Sequence, residues 1–227
     1  MARLRKFDLE RELSDFDIFL GIESEAIHKY IVKSNIWFNK ELEEVNKKLI
    51  EARKGIQDKN LQYKTENYIL DEVHIIDLEL RGIVFSSGVV NVFSFFEFRL
   101  KELCDIFSKS SRVNIRIKDL SGNSDFEKGI KFLRKVVEID RSILDDNSRR
   151  LRAFKTIRNR IVHNNLYLDE NSQTQIKSNF GEYIDQRNLI LLNNRIIIPN
   201  EKLASEHLEL GTKFLSSAVR NYLDKKN

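Results

Sequence analysis

Val89-Val90-Asn91-Val92-Phe93-Ser94-Phe95-Phe96-Glu97-Phe98-Arg99-Leu100-Lys101-Glu102-Leu103-Cys104-Asp105-Ile106-Phe107 is the stretch on which the architecture turns. Wound at 100° per residue, it puts apolar side chains on nearly every side. Such a helix belongs at the centre of a bundle and not on its surface. Residues 60–109 as a whole read as helical, with a break expected near Gly82 or Ser86-Ser87-Gly88. Upstream, Leu9, Leu13, Phe16 and Leu20 recur at helical spacing and predict a short helix over residues 8–20. Ser24 is then expected to cap a second, long helix. Its stripe runs through Ile27, Tyr30, Ile31, Ile36, Phe38, Leu42, Val45 and Leu49, and Gly55 ends it.

Downstream, residues 111–123 read as a polar loop containing Arg112, Asn114, Arg116 and Lys118. Ser124, with Glu127 three residues on, predicts a capping box opening a helix that runs to about Ile139. A further helix is expected from Asp145 or Asp146 through Ile161, leaving at Asn164-Asn165. After residue 180 the pattern changes. Leu189 to Leu192, Asn193-Asn194 and Ile196 to Ile198 read as a small hairpin, Pro199 stops it, and residues 201–223 form a last amphipathic helix. The expectation is one all-α domain over residues 1–227, a helical bundle of long antiparallel helices with a small β-hairpin near the C-terminus.

Composition agrees with this and narrows the function. Hydrophobic residues make up 41% and charged residues 33%, with one proline and eight glycines, so long helices meet few forced breaks. The net charge is +4, from 39 basic against 35 acidic residues, with both signs mixed along the chain. That is compatible with nucleic-acid contact without requiring it. Cys104 is the single cysteine, which removes an intrachain disulfide, and one thiol with four scattered histidines builds no zinc cage. The charged first twelve residues lack a secretory apolar core, and residues 82–96 are too short and too polar to span a bilayer. A cytoplasmic protein without membrane partners and without a cofactor is the expectation.

The chemistry sits in residues 151–165. Leu151, Phe154, Ile157 and Ile161 share one helical face, and Arg152, Thr156, Asn159 and His163 share the other. Asn159 and His163, four apart, are neighbours, and Arg149 and Arg160 flank them. A histidine, an amide and several arginines make an anion site. The same face is also what a solvated basic helix presents, with His163 complementing the dipole at the C-terminus. Arg158 lies at the edge of the apolar face, five residues and about 140° of helix from His163. A half-buried arginine needs a carboxylate, and Glu97 on the apolar helix is the candidate. Either that pair serves stability, or the helix distorts and Arg158 and His163 reach one cleft.

Arg158-Asn159-Arg160-Ile161-Val162-His163 resembles the signature of the HEPN superfamily, an arginine and a polar residue followed after four to six residues by histidine. Phe95-Phe96-Glu97-Phe98-Arg99 resembles the family's acidic residue within a core helix, and Ser121-Gly122-Asn123 with the helix after it resembles the middle section of prokaryotic members. The resemblance covers residues 80–165. It makes residues 1–80 an N-terminal helical extension and residues 166–227 the hairpin and last helix. It implies a metal-independent RNA endonuclease acting as a homodimer, in antiphage defence or a toxin–antitoxin pair, with RNA and an antitoxin or defence partner. By the same resemblance His163 is the acid or base, Arg158 holds the phosphate, and Asn159 orients histidine or substrate. Glu97 supports the site, while Arg152, Arg160 and Asn164 contact substrate.

Rival chemistries lack their motifs. There is no phosphate-cradling glycine loop, no serine–histidine–aspartate elbow, no zinc-finger spacing and no dense basic recognition helix. His28, His74 and His207 have no partners at metal-ligand spacing, and Cys104, Trp37 and Phe38 read as core or contact residues. The alternative is a non-catalytic HEPN-like module for dimerisation or for binding RNA or protein.

Overall fold

The computed structural model describes residues 2–110, 115–164 and 166–226; for residues 2–8, 110 and 164 only the backbone is described. The chain is mostly helical: α1 Ala2–Gly55, α2 Lys59–His74, α3 Arg81–Ser110, α4 Asp125–Lys135, α5 Arg141–Asn164, α6 Glu170–Asp185 and α7 Lys202–Asp224. A two-stranded antiparallel hairpin, β1 Ile190–Leu192 and β2 Arg195–Ile197, precedes α7.

The predicted break between a first and a second helix at Ser24 does not occur. α1 runs through it, and the Ser24 hydroxyl donates to the Gly21 carbonyl at 3.0 Å instead of capping a new helix. A serine inside a helix satisfies itself on the preceding turn, so its presence alone does not start one. The break expected near Gly82 is a single π-helical segment, Ile75–Leu80, just upstream. Ser124 does cap α4, accepting the Glu127 amide at 3.3 Å. α4 stops at Lys135, earlier than Ile139, and Glu138 sits at φ 62 in the left-handed region. α5 begins at Arg141, a turn ahead of Asp145. α6 has no counterpart in the sequence reading; Asp169 caps it by accepting the Ser172 amide at 2.7 Å. Arg112, Asn114 and Asn165 lie outside the described residues.

The chain folds as two compact units, and α1, α3, α5 and α7 each contribute to both. The first comprises Met1–His28, Val90–Asn159 and Glu206–Asn227. Its core is aromatic. Phe93 meets Phe96, Phe126 and Phe154 with ring centroids 6.0–6.2 Å apart, and Phe96 meets Phe214 at 6.0 Å. Tilted pairs of this kind add ~0.5–1.5 kcal/mol each beyond the area they bury. All five rings are at most 3% exposed. The all-round burial read for residues 89–107 does not hold: Asn91, Ser94, Phe98, Lys101 and Asp105, at helical spacing, leave one face of α3 exposed, with Phe98 62% exposed. Buried His207 stacks on Phe154 at 4.2 Å and 10°. Buried Cys104 donates weakly to the Gly129 carbonyl, and desolvation pushes its thiol pKa far up. It is an inert packing residue.

The second unit comprises Lys29–Val89 and Arg160–Ser205. Its part of α1 pairs antiparallel with the chain that follows Gly55. Arg53 reaches Glu66 at 3.5 Å, Lys48 reaches Glu72 at 3.6 Å, and Phe38 meets Phe85 at 5.9 Å. The hairpin turns on Asn193 and Asn194, with φ 47 and 62. Asparagine tolerates that pair of left-handed conformations, which matches the strand twist. Within Lys59–Lys109 one 18-residue window is apolar enough to cross a membrane by length and composition, and half of it is buried inside the protein.

Candidate functional site

Leu151, Phe154 and Ile157 are buried on α5, while Arg152 and His163 are exposed and Asn159 is half-buried. The two faces read from the 100° wheel are therefore the two faces of the folded helix. α5 is helical without interruption through Asn164. The distortion that would turn Arg158 and His163 to one side is absent, and helix pitch alone sets them about 140° apart.

Arg158 is half-buried. Its Nη1 donates to Asn159 Oδ1 at 3.1 Å, and its Nε is buried with no hydrogen-bond partner. Arg158 and Asn159 belong to the first compact unit, whereas Arg160 and His163 belong to the second. Arg160 lies 3.8 Å from Asp169, and His163 is exposed in the last turn of α5. The side chain of Asn164 lies outside the described residues.

Glu97, on α3, feels the Arg158 charge, but Lys155 acts on it more strongly. It accepts the Phe126 amide at the start of α4, and Asp125 adds a second negative charge nearby. Burial is the largest influence and holds the Glu97 carboxyl above its ordinary range, against the pull of both cations. Glu97 therefore ties α3 to the first turn of α4 and sits between the cations of α5. Lys155 and Asp125 are the members of this cluster that sequence reasoning missed. The signal was available for Lys155: it stands one turn before Arg158 on α5, so whatever carboxylate one meets the other approaches.

Arg152 is not a bare surface cation. Its guanidinium forms a two-pronged ion pair with Glu127, 2.8 Å from Nε to Oε1 and 2.9 Å from Nη2 to Oε2, and lies over the Phe126 ring at 5.8 Å. The pair holds the Glu127 carboxyl below its ordinary range. Glu127 was expected to complete the Ser124 capping box; its carboxylate goes to Arg152 instead, since charge-assisted bidentate pairing outcompetes a single amide. Arg149 is likewise engaged, with Asp146 at 2.6 Å.

No family model, no characterised protein and no solved structure matches this chain.

Proposed function

We propose that this chain is a HEPN-type, metal-independent RNA endonuclease acting in antiphage defence or as the toxin of a toxin–antitoxin pair. The observation that carries the reading is Arg158, half-buried beside Asn159 with one guanidinium nitrogen buried and unpartnered, on the helix that ends at exposed His163. A buried donor without an acceptor costs ~1–3 kcal/mol, and a phosphate oxygen is the acceptor a guanidinium fits best. Glu97 accepts the Phe126 amide and feels the charges of both Lys155 and Arg158, and the Arg158 Nε is left without an acceptor.

In the reaction His163 takes the proton of a ribose 2′-hydroxyl. O2′ attacks the adjacent phosphorus, the P–O5′ bond breaks, and the departing O5′ takes a proton from water to give a 5′-hydroxyl and a 2′,3′-cyclic phosphate. Arg158 holds the phosphate and balances its extra charge. Because Arg158 and His163 leave one α-helix about 140° apart, the reading calls for two chains, each supplying one of the two groups to a shared phosphate.

The test is incubation of the purified protein with tRNA and total RNA in EDTA. Cleavage leaving cyclic phosphate ends, lost in His163→Ala and in Arg158→Ala while both stay folded, supports the reading. Uncut RNA, or equal cutting by wild type and His163→Ala, ends it. The second reading, a non-catalytic module that binds protein, is favoured by large exposed apolar residues in the second unit, including Ile36 at 61%, Trp37 at 50% and Tyr68 at 73%. It predicts folded, RNA-inert protein whose growth effect on expression is unchanged in the same two variants.

A further inference from the structure

The first compact unit contains a second concentration of charge, which shares Arg152 and Lys155 with the cluster described above and adds three cations from α4. A cleft of about 700 Å³ lies between the 121–123 loop, α4 and the middle of α5. That is within the size range of ligand sites. Lys131, Arg134, Lys135, Arg152 and Lys155 line it against a single carboxylate, Glu127. On a chain of net charge only +4 this is a marked local excess.

Which of these charges are already spoken for decides what the cleft can take. Glu127 is bound to Arg152, and Arg134 is bound to Asp145. Lys131 and Lys155 are held by neutral oxygens. Lys131 Nζ donates to the Ser121 hydroxyl at 2.8 Å and to its carbonyl at 3.2 Å, and Lys155 Nζ donates to the Ser124 hydroxyl at 2.5 Å. Lys135 is exposed. An ammonium has three protons to donate, so the Ser121 oxygens orient Lys131 without cancelling its charge, whereas Lys155 also feels the carboxylates of Glu97 and Glu127. Lys131 and Lys135 are one turn apart on α4, where like charges destabilise a helix by ~0.2–0.5 kcal/mol. The helix dipole favours Lys135 in the last turn of α4, and an anion in the cleft would offset the remaining repulsion. The mouth is also held in place: a Cβ on Gly122 would lie 2.9 Å from Lys128 Cγ, so the loop is seated directly on the first turns of α4.

We propose that this cleft binds the sugar–phosphate backbone of single-stranded RNA, seating successive phosphates on Lys131 and Lys135 so that the strand is led along α5 toward Arg158. This rests on the ribonuclease reading for its choice of polymer, and on the cleft alone for its anion chemistry. Flexible ammonium groups bind phosphate as point charges without reading bases, so the cleft supplies affinity and register and leaves sequence unread.

The test is fluorescence anisotropy of an end-labelled single-stranded RNA 12-mer across a salt series, on a His163→Ala background that prevents cutting. Lys131→Glu/Lys135→Glu is compared with Lys131→Gln/Lys135→Gln, both checked by circular dichroism for unchanged folding. Loss of two phosphate contacts lowers the slope of log Kd against log salt by about 1.4, at ~0.7 per single-strand phosphate. Binding at low salt weakens about tenfold in the Gln pair and further in the Glu pair. Unchanged affinity and slope in a folded variant overturn the proposal, as does equal, lysine-dependent binding of duplex DNA. Lysine-dependent RNA binding by a wild type that never cuts RNA upholds the cleft and removes the nuclease. Cutting by the wild type with unaltered binding in both lysine variants upholds the nuclease and removes the cleft.

Discussion

Two glycine-to-alanine changes, at Gly129 and at Gly21, should move stability in opposite directions. Gly21 lies on the exposed side of α1, and a Cβ there meets nothing within 4 Å. Gly129 lies in α4, and a Cβ there would sit 2.7 Å from Leu100 Cδ2 and 2.8 Å from its Cγ. Carbon atoms rest at about 3.5–4.0 Å, so roughly 1 Å of displacement is required. Leu100 is 1% exposed and cannot swing into solvent. Both variants gain the ~1 kcal/mol by which alanine outranks glycine in a helix. Gly129→Ala also carries an overpacking cost of ~1–3 kcal/mol. The expected outcome is a gain of about 1 kcal/mol for Gly21→Ala and a loss of up to ~2 kcal/mol for Gly129→Ala, since part of the clash is relieved by a shift of α4. In a chain of 227 residues each ~1 kcal/mol is about 2–4 °C in Tm. Urea denaturation followed by helical ellipticity reads both. Because α4 carries the Phe126 amide held by Glu97, the shift in Gly129→Ala should reduce RNA binding or cutting too. Gly129→Ala as stable as Gly21→Ala would mean that α4 is not seated on Leu100, and the placement of the cleft and of Glu97 would fall with it.

Other substitutions probe the same unit. Phe154→Ala removes the ring shared by Phe93 and His207 and should cost ~3–5 kcal/mol in denaturant titration; a loss under ~1 kcal/mol would contradict its central place. Glu138→Gly relieves a left-handed backbone at φ 62 and should raise stability by ~1 kcal/mol, read as an upward shift in Tm, while lower stability would mean Glu138 does more than turn the chain. Glu97→Gln should flatten part of the pH dependence. Burial places the folded carboxyl above its ordinary 4.5, so the folded state binds the proton more tightly, and that contribution is complete below 4.5 and is lost as pH rises through the raised value. The variant should therefore gain on the wild type between pH 4 and pH 7 in urea titrations; a relative loss over that range would reverse the assigned cause.

The parts of the fold visible in the sequence are those where one local rule decides. The Ser124 cap and the Asn193-Asn194 turn needed only a side-chain acceptor and left-handed tolerance, and both appear, the cap without the Glu127 half of its box. Ser24 and Asp145 failed because a capping residue type is common inside helices, where serine bonds to the turn behind it and aspartate to a basic neighbour. α6 escaped notice because its buried positions, Ser172, Ile176 and Phe180, form a thin stripe interrupted by a non-helical Phe180. Its start, Asp169 with Ser172, was nevertheless a cap legible by the rule that found α4.

The site divides along the same line. Which α5 residues share a face follows from pitch alone and needed no tertiary knowledge. Which charge is free does not, because it depends on partners brought from other elements: Glu127 engages Arg152, Asp169 lies beside Arg160, and the Phe126 amide engages Glu97. That sorting leaves Arg158, with its unpartnered Nε, and Lys131 and Lys135, without carboxylates, among the cations of the first unit with donors to spare. A helix built only for stability would pair a half-buried guanidinium fully, as the chain does for buried Arg99, held by Glu23 and Glu102 together. Both kinds of arginine stand within the same compact unit, so the open Nε of Arg158 does not follow from a general shortage of carboxylates there.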